Sequence, residues 1–583
     1  VHLLPENPVS DQAQELPAPI AALLAKRGCQ TPEEIRKFLS WDLADLESAL
    51  VSPNEMKGLD QAVELLSKAR WSGETVVVHG DYDVDGMTGT AILYLGLQRA
   101  GFQVGWTLPR RDGEGYGLTD ASLSRCERGE GIEGDITLKD RCAKWVLSVD
   151  TGITAGPEIE RARERGLGVI VTDHHLPGEG TFPTAAAAVI NPQQEGCPYP
   201  NKGISGAGVA WKLIQALYTR LGTPEGANPY RLLQLVAIAT IADMVPLTAE
   251  NRALVRLGLK EWTERPLPGL RALFQTAGFQ AGTSPRLGDV SFKIAPRLNS
   301  AGRMRRGEVA IRLLTSTSAE HARSLAGQID ALNRERQALD QRITREAHEI
   351  AVQEEAEGGK VPSGHVLAGE TWHEGVSGIV AARVAEVHGI PVAILAPDPA
   401  RPGELRGSAR SGGRVDLHHL ITGCAHLLER WGGHCHAAGM SIKRENVEAF
   451  RKAFLEAADE ALRQPLAPSG LTADIHIPLS EVNHRLMDFL ERMEPFGQAN
   501  PAPLFECREA ELLWCSAVGD GGRHLKARLA EGSAVMEAIA FSQGALVKEV
   551  SLGDKLHVLF VPGWNEFRGT RTVQLLIKEI KTK

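Results

Sequence analysis

From Thr75 onward, short uninterrupted apolar runs rich in Val and Ile alternate with stretches of helical spacing. "TVVVH" precedes "GTAILYLGLQRA", "WVLSV" precedes "AGPEIERARERG", and "LGVIVT" leads through a loop to "AAAAVI". Apolar runs without polar alternation suit strands buried on both faces, so the region predicts an α/β domain with a parallel sheet. It is expected over 71–250, with its later part helical in "VAWKLIQALYTRL" and "YRLLQLVAIATIAD". Residues 1–70 read as short amphipathic helices, one capped by Thr31 with Pro32 in its first position. A helical connector is expected over 251–357. From about 305 it carries Leu325, Ile329, Leu332, Leu339, Ile343 and Ile350 at spacings of three, four or seven, the pattern of a long helix with one buried stripe. A second, smaller α/β unit is expected over 358–465, from "HVLAGE", the helix "GIVAARVAEVHG" and the strand "PVAILAP", followed by more helix. Beyond the linker "RQPLAPSG", 466–583 shows short strands with turn signals, as in a small β-barrel or sandwich.

Composition adds bounds. A chain of 583 residues exceeds one hydrophobic core and implies several domains. No apolar run reaches the roughly 18–20 residues of a membrane span, and the N-terminus lacks the pattern of a signal peptide. Eight scattered Cys without a CxxC pair suit a reducing cytoplasm, the expected location. The net charge of -9 argues against a uniformly basic surface but allows a locally positive groove.

The candidate chemistry gathers at predicted strand ends. "HGDYDVDG" places Asp81, Asp83 and Asp85 after the first strand, and "LSVDTG" places Asp150 after another. "IVTDHHLPG" places Asp173, His174 and His175 after the next, and "TIADMVPL" puts Asp243 at a helix end. Each Asp alone reads as a turn residue or helix cap. Together they point to one crevice beyond the carboxyl ends of a parallel sheet, where ligands bind. Converging carboxylates and imidazoles need divalent cations. Mixed Asp and His donors without Cys suit Mn²⁺ and admit Mg²⁺, and there are donors enough for two ions and two-metal phosphoester hydrolysis. Residues two apart in an extended segment point the same way, so Asp83 and Asp85 are expected to reach adjacent ions, with Gly86 turning the chain into the next helix.

A phosphodiester substrate should leave a positive trace. "SFKIAPRLNSAGRMRR" carries five cations and no acid, "RPGELRGSARSGGR" carries four Arg against Glu404, and Arg110 and Arg111 follow a strand. Gly and Ser beside Arg let backbone N–H groups and guanidinium forks share phosphate oxygens. Tyr82, Tyr116 and Trp372 are candidates for base stacking or for the core. Arg523, Lys526 and Arg528, with His524, mark the C-terminal β unit as a candidate single-strand clamp. Cys424, His426, His434, Cys435 and His436 cluster without the spacing of a zinc finger.

"HGDYDVDGMTGT", "SVDTG", "TDHHLPG" and "ADMVPL" resemble, in order, the four motifs of the DHH phosphoesterase superfamily. "EGYGL", "APRLNSAGRM", "GSARS" and "GGHCHAAG" are similar to its RecJ branch of 5′→3′ single-stranded-DNA exonucleases. The resemblance implies a DHH domain, a long connecting helix, a DHH-associated domain and an OB fold. It implies that Asp83 and Asp85 bind different ions, that Asp150 bridges them, and that His174 and Asp243 complete one ion. His79 would serve the other, and Asp81 would be a ligand or a brace. Asp173 would orient the histidines, and His175 would face the scissile phosphate as a polarising donor or acid. Ser408 and Arg410, with Arg110 or Arg111, would hold a terminal 5′-phosphate, with Asn299, Arg303 and His434 on the nucleotide or backbone. The activity implied is release of 5′-mononucleotides in DNA recombination and repair by a monomer, with single-stranded DNA-binding protein and a helicase as partners. A DHH phosphodiesterase of short oligonucleotides or cyclic dinucleotides, and a non-catalytic single-strand-binding scaffold, are the alternatives.

Overall fold

The computed structural model describes residues 16–110, 114, 117–134, 142–178, 180–358, 362–463, 471–567 and 570–582. These form two compact units, one of 51–243 with 258–463 and one of 16–50, 244–257 and 471–582. No described helix is long and apolar enough to cross a membrane.

After a helix over Leu59–Trp71, the first unit continues with β1 (Thr75–Gly80) and α1 (Val84–Arg99), then β2 (Gln103–Thr107), β3 (Trp145–Val149), β4 (Gly168–Thr172) and β5 (Ala188–Ile190). All pairings are parallel, in the order β2-β1-β3-β4-β5. Val76, Val77, Val78, Val146 and Ile170 are fully buried, as continuous apolar strands require. The chain leaves β1 for β2 on one side and returns to β3 on the other. This reversal opens a crevice at the carboxyl ends of β1 and β3, where Asp81 and Asp150 emerge. Helices α2 (Gly206–Leu221) and α3 (Leu233–Ala242) pack on α1.

The connector contains α4 (Ala295–Arg303) and the 40-residue α5 (Ala319–Gly358). The tract expected from about 305 is broken, because a separate helix, Gly307–Thr315, stops before Ser316–Ser318. Leu325, Ile329 and Ile343 are buried in α5, Leu332 and Leu339 are half-buried, and Ile350 is exposed. Midway, the buried positions are polar: Asp330, Asn333, Arg336 and Asp340. Their partners decide this, since Asp330 pairs with Arg297 and Asp340 with Arg383 and Arg336.

The second sheet of this unit contains β6 (His365–Ala368), β7 (Val392–Pro397), β8 (Glu404–Arg410), β9 (Arg430–His434) and β10 (Ala437–Lys443), in the order β6-β7-β8-β10-β9. Helix α6 (Ser377–His388) packs on β7 and β8. The expectation of only helix after β7 is corrected here, because β8–β10 are three antiparallel strands. "ELRGSAR" and "RWGGH" have the Gly and Arg content of loops, and pairing makes them strands, β8 in the middle of the sheet and β9 at its edge.

In the second unit β11 (Ile475–His476) pairs with β12 (Phe505–Val518), which continues through β13 (His524–Glu531), β14 (Ala534–Ala540), β16 (Thr570–Thr582) and β15 (Lys555–Phe567). Pairing of β15 with β12 closes the five longer strands into a barrel. The core of this unit takes in Ile20, Leu23, Leu24 and Leu39 from the N-terminal segment. Thr31 and Glu34 form a reciprocal capping box, with Pro32 in the first turn. From 244–257, the buried Arg252 donates to the carbonyls of Phe38, Arg492 and Met493, and Arg256 to those of Phe38, Ser40, Arg492 and Glu494.

Candidate metal centre

The loop after β1 makes a tight cradle. Asp81 ends the strand run, and its Oδ1 accepts the Tyr82 N–H at 2.8 Å. Asp83 is the N-cap of α1, with Oδ1 accepting the Gly86 N–H at 3.0 Å. Asp85 lies inside the first turn of α1, and its oxygens accept the N–H groups of Gly206 and Ala207, each at 2.7 Å. These donors open α2, so the amino end of one helix helps stabilise the carboxylate carried by another.

The expected alternation of Asp83 and Asp85 along an extended segment is therefore corrected. The helix starts at Val84, and the two carboxylates diverge from a cap and a first turn. Gly86 is not a free turn but a contact point. A Cβ there would lie 2.6 Å from the backbone N and O of Asp81.

Asp150 follows β3 with φ of 61°, in the left-handed region. That conformation turns its side chain back into the crevice, and Gly206 gives it room, because a Cβ at 206 would lie 2.9 Å from the Asp150 carboxylate. Asp173 follows β4, its Oδ1 accepting the N–H groups of His174 at 2.8 Å and His175 at 3.2 Å, and its Oδ2 that of Ile153 at 2.9 Å. The same Oδ1 is 2.8 Å from His175 Nδ1. Asp243 caps α3 and completes the cluster.

Three sets of donor atoms come within 4.8 Å of one another: Asp81, Asp83 and Asp150; Asp85, His174 and Asp243; and Asp150, His174 and His175. Asp150 and His174 each belong to two sets. His174 Nε2 lies 3.1 Å from Asp150 Oδ1, 3.6 Å from Asp85 Oδ2 and 3.7 Å from Asp243 Oδ2. The Asp150 oxygen and the His174 nitrogen are both buried without a hydrogen bond.

Burial and the carboxylates of Asp85, Asp83, Asp81 and Asp173 push Asp150 well above the usual carboxylate range. Burial also raises Asp85, against the pull of His174. Asp243 is pushed up to about 8 by burial and by Asp85 and Asp83. Such crowding is unfavourable unless a cation neutralises it, and the oxygen and imidazole donors fit Mn²⁺ or Mg²⁺. Burial alone would raise Asp173, but hydrogen bonding and attraction from His175 outweigh it and hold it low. The same hydrogen bond lifts His175 to about 9.

His79 falls in none of the three sets. It lies wholly buried on β1, with neither ring nitrogen hydrogen-bonded, and burial with the nearby Arg125 charge holds it down to about 4.

Several supports come from parts of the chain that carry no acidic signal. Asn299 Oδ1, on α4, accepts the Val84 N–H at 3.2 Å, fixing the turn that bears Asp83 and Asp85. Gly302, one turn along, sits so close that a Cβ would be 1.9 Å from the Tyr82 carbonyl oxygen. Arg303 donates to the Gly375 carbonyl and Arg305 pairs with Glu374, joining the connector to the loop before α6. Arg110 is exposed and lines a cavity with Tyr82, Arg125 and Arg305. Buried Arg125 is clamped bidentately by Glu114 at 2.8 and 3.0 Å. Arg111 and Tyr116 lie outside the described residues.

On β8, Arg406, Ser408 and Arg410 alternate with buried residues and share one face. Ser408 and Arg410 border the start of α6, where a Cβ on Gly378 would lie 3.3 Å from Ser408 Oγ and 3.0 Å from an Arg410 nitrogen. Ser377 Oγ is buried there without a hydrogen bond. Arg410 pairs with Ala437 and Ala437 with His434, so exposed His434 continues the Arg410 row on the same face. Trp372 is a core residue, its Nε1 donating to Glu346 at 2.8 Å. Cys424 is buried in the core beneath this sheet, while Cys435 and His436 are exposed, and they form no metal-capable group with His426 and His434 among the described residues.

On the barrel, Lys526 and Arg528 point outward from β13 and share Glu537 of β14, at 3.8 and 2.8 Å. Arg523 is exposed just before β13. Trp514, opposite Arg528 on β12, is 43% exposed and adds an aromatic face that the sequence shows only as one more apolar residue in a strand.

Residues 75–240 match the DHH family N-terminal domain, 362–460 the DHHA1 domain, and 473–579 the RecJ OB domain. The single-stranded-DNA-specific exonuclease RecJ of Dickeya dadantii (strain 3937) is 35% identical over 588 residues, covering 97% of this chain and 96% of that protein. The crystal structure of RecJ in complex with Mn²⁺ from Thermus thermophilus is similar with a TM-score of 0.77 at 30% identity, over 97% of this chain and 76% of that one. The Mg²⁺ complex from the same source gives 0.71 at 28%, over 97% and 74%.

Proposed function

The chain belongs to the DHH family, among the RecJ single-stranded-DNA-specific exonucleases, and on that premise we propose how its residues divide the work. The activity is metal-dependent hydrolysis of single-stranded DNA. The observation that carries the reading is the sharing of Asp150 and His174 between sets of donors, which suits two ions held side by side. Asp81, Asp83 and Asp150 hold one ion, and Asp85, His174 and Asp243 the other, with Asp150 between them. Asp81 is thereby a ligand. His79 supports from beneath. When bound, the ions would supply Lewis acidity, lowering the pKa of an attacking water and offsetting charge on the phosphate.

The protein residues do the rest. Asp173 holds His175 by its Nδ1, which leaves Nε2 of the half-exposed ring to carry a proton towards the scissile phosphate or the departing oxygen. The hydrogen bond to Asp173 favours the protonated ring. Buried Ser377, half-buried Ser408 and Arg410 and exposed His434 make a polar run suited to a terminal phosphate, which supports attack from the 5′ end and release of 5′-mononucleotides. Arg110 serves the same phosphate. Arg303 and Asn299 serve through the loops they hold. The barrel contributes Trp514 with Arg523, Lys526 and Arg528 to binding of the strand. To this reading we add a role in recombination and repair, with single-stranded DNA-binding protein and a helicase as the partners to test.

A strand labelled separately at each end tests this with Mn²⁺ present. The 5′ label should leave first as a mononucleotide, and Asp83→Ala should lower the rate by more than about 100-fold, since losing even an outer supporting partner costs roughly 10- to 100-fold. Early release of the 3′ label would overturn the polarity, and an active Asp83→Ala protein would overturn the metal site.

A further inference from the structure

A second constellation lies far along the chain from the DHH centre, where the end of α5, the start of β6 and the end of α6 converge. Glu355, His365 and His388 bring one donor atom each within 4.8 Å of the others. Glu355 Oε1 is 2.7 Å from His388 Nδ1 and 3.5 Å from His365 Nε2. The remaining ring nitrogens are engaged outside the trio. His365 Nδ1 is 3.0 Å from Glu354 Oε2, and Glu354 is held by Arg451 at 2.8 Å. His388 Nε2 is 3.0 Å from Nδ1 of His348, about two turns earlier on α5 than Glu355.

These outer partners select the tautomers. Glu354 accepts only from a protonated Nδ1 of His365, which leaves Nε2 of a neutral ring as a lone pair directed at the Glu355 carboxylate. That Nε2 is wholly buried and has no hydrogen bond. A proton shared between His388 and Glu355 explains their 2.7 Å contact but leaves the His365 lone pair facing another lone pair. A cation resolves it. Donors around a tetrahedral ion with bonds of about 2.0–2.2 Å stand roughly 3.3–3.6 Å apart, close to the His365–Glu355 separation. The Glu354 carboxylate behind His365 is the support that metal-binding histidines use, and the His348 ring stands behind His388.

We propose that Glu355, His365 and His388 bind a divalent transition-metal ion of the zinc class, with Glu354 and His348 orienting the two histidines, and that this ion pins the end of α5 to β6 and α6. Two imidazoles and one carboxylate leave a fourth position for water, and the donor set favours Zn²⁺ over Mg²⁺. The site shares no ligand with the proposed catalytic centre.

The test uses the full chain carrying Asp83→Ala, Asp150→Asn and His174→Gln, so that every donor set of the DHH centre has lost a ligand and does not compete. After chelation and dialysis, Zn²⁺ alone is titrated and bound metal is measured by mass spectrometry, with Tm followed in parallel. One tight equivalent and a rise in Tm are expected. Adding His388→Gln or the near-isosteric Glu355→Gln should weaken that equivalent by more than about 100-fold, and His348→Ala by about 10-fold. Co²⁺ in place of Zn²⁺ should give a tetrahedral absorption spectrum that Glu355→Gln abolishes. If His388→Gln lowers the metal-free Tm, Glu355→Gln is the deciding arm. No bound Zn²⁺ in the parent, or undiminished binding in Glu355→Gln, overturns the proposal.

Discussion

At Asp243 the metal-free protein holds a proton that a bound ion has to displace. Its pKa is pushed up from 3.8 to about 8 by burial and like charges, and His175 is lifted from 6.5 to about 9 by Asp173. Both folded-state values lie above the unfolded ones, so the folded chain binds these protons more tightly and loses stability as they leave. In chelator, Tm should therefore fall as pH rises from about 6.5 to about 9. His79, held down to about 4 from 6.5, opposes the trend only at the lower end of that window, while its unfolded ring is still partly protonated. Saturating Mn²⁺ should flatten the curve, and calorimetry at about pH 7 in buffers of different ionisation enthalpy should detect proton release on binding. A chelated Tm that climbs with pH would refute this assignment. Asp243→Asn removes one of the crowded charges. It should stabilise the metal-free chain by on the order of 1–3 kcal/mol at about pH 8, while lowering activity by more than about 100-fold.

At the scale of elements, the catalytic loop depends on α4 as much as on its own strand. Gly302 and Asn299 hold Tyr82 and Val84. Gly302→Ala forces α4 or the loop to move by more than an ångström, and misplacement of that size should lower the rate of Mn²⁺-dependent hydrolysis by about 100-fold, with secondary structure by circular dichroism intact. Asn299→Ala should cost less, about 10-fold. Most of the acidic half of this site was legible in the sequence because the acids from Asp81 to Asp85, Asp150 and Asp173 follow apolar strands, and strand ends of a parallel sheet converge. Its supports were not, since Asn299, Gly206 and Gly302 are ordinary helix residues whose role exists only through distant packing. The strands β8–β10 were hidden for another reason, since "ELRGSAR" does alternate but its Gly, Ser and Arg read as a phosphate-binding segment. Asp83 and Asp85 were also misjudged, because N-capping at Asp83 starts the helix sooner than an extended reading allows.

At the scale of the whole molecule, the barrel's outward face offers cations that are partly spoken for. Lys526 and Arg528 both lean on Glu537, so Glu537→Gln should tighten binding of single-stranded DNA and steepen its dependence on salt. Trp514→Ala should weaken binding by about 1–3 kcal/mol, read by fluorescence anisotropy at fixed salt, because stacking on an aromatic ring is lost. Unchanged affinity in both variants would move the strand elsewhere. The same unit is also not a contiguous piece of chain. Arg252 and Arg256, from the middle of the sequence, give their guanidinium N–H groups to carbonyls at 492–494 and at 38–40. A stop codon in the linker near 464 would thus remove more than a DNA clamp. It would leave two buried cations short of acceptors and Ile20, Leu23 and Leu24 without cover. In genetic terms, late truncations should behave as null alleles, and the barrel should not be exchangeable between relatives unless all three of its segments travel together.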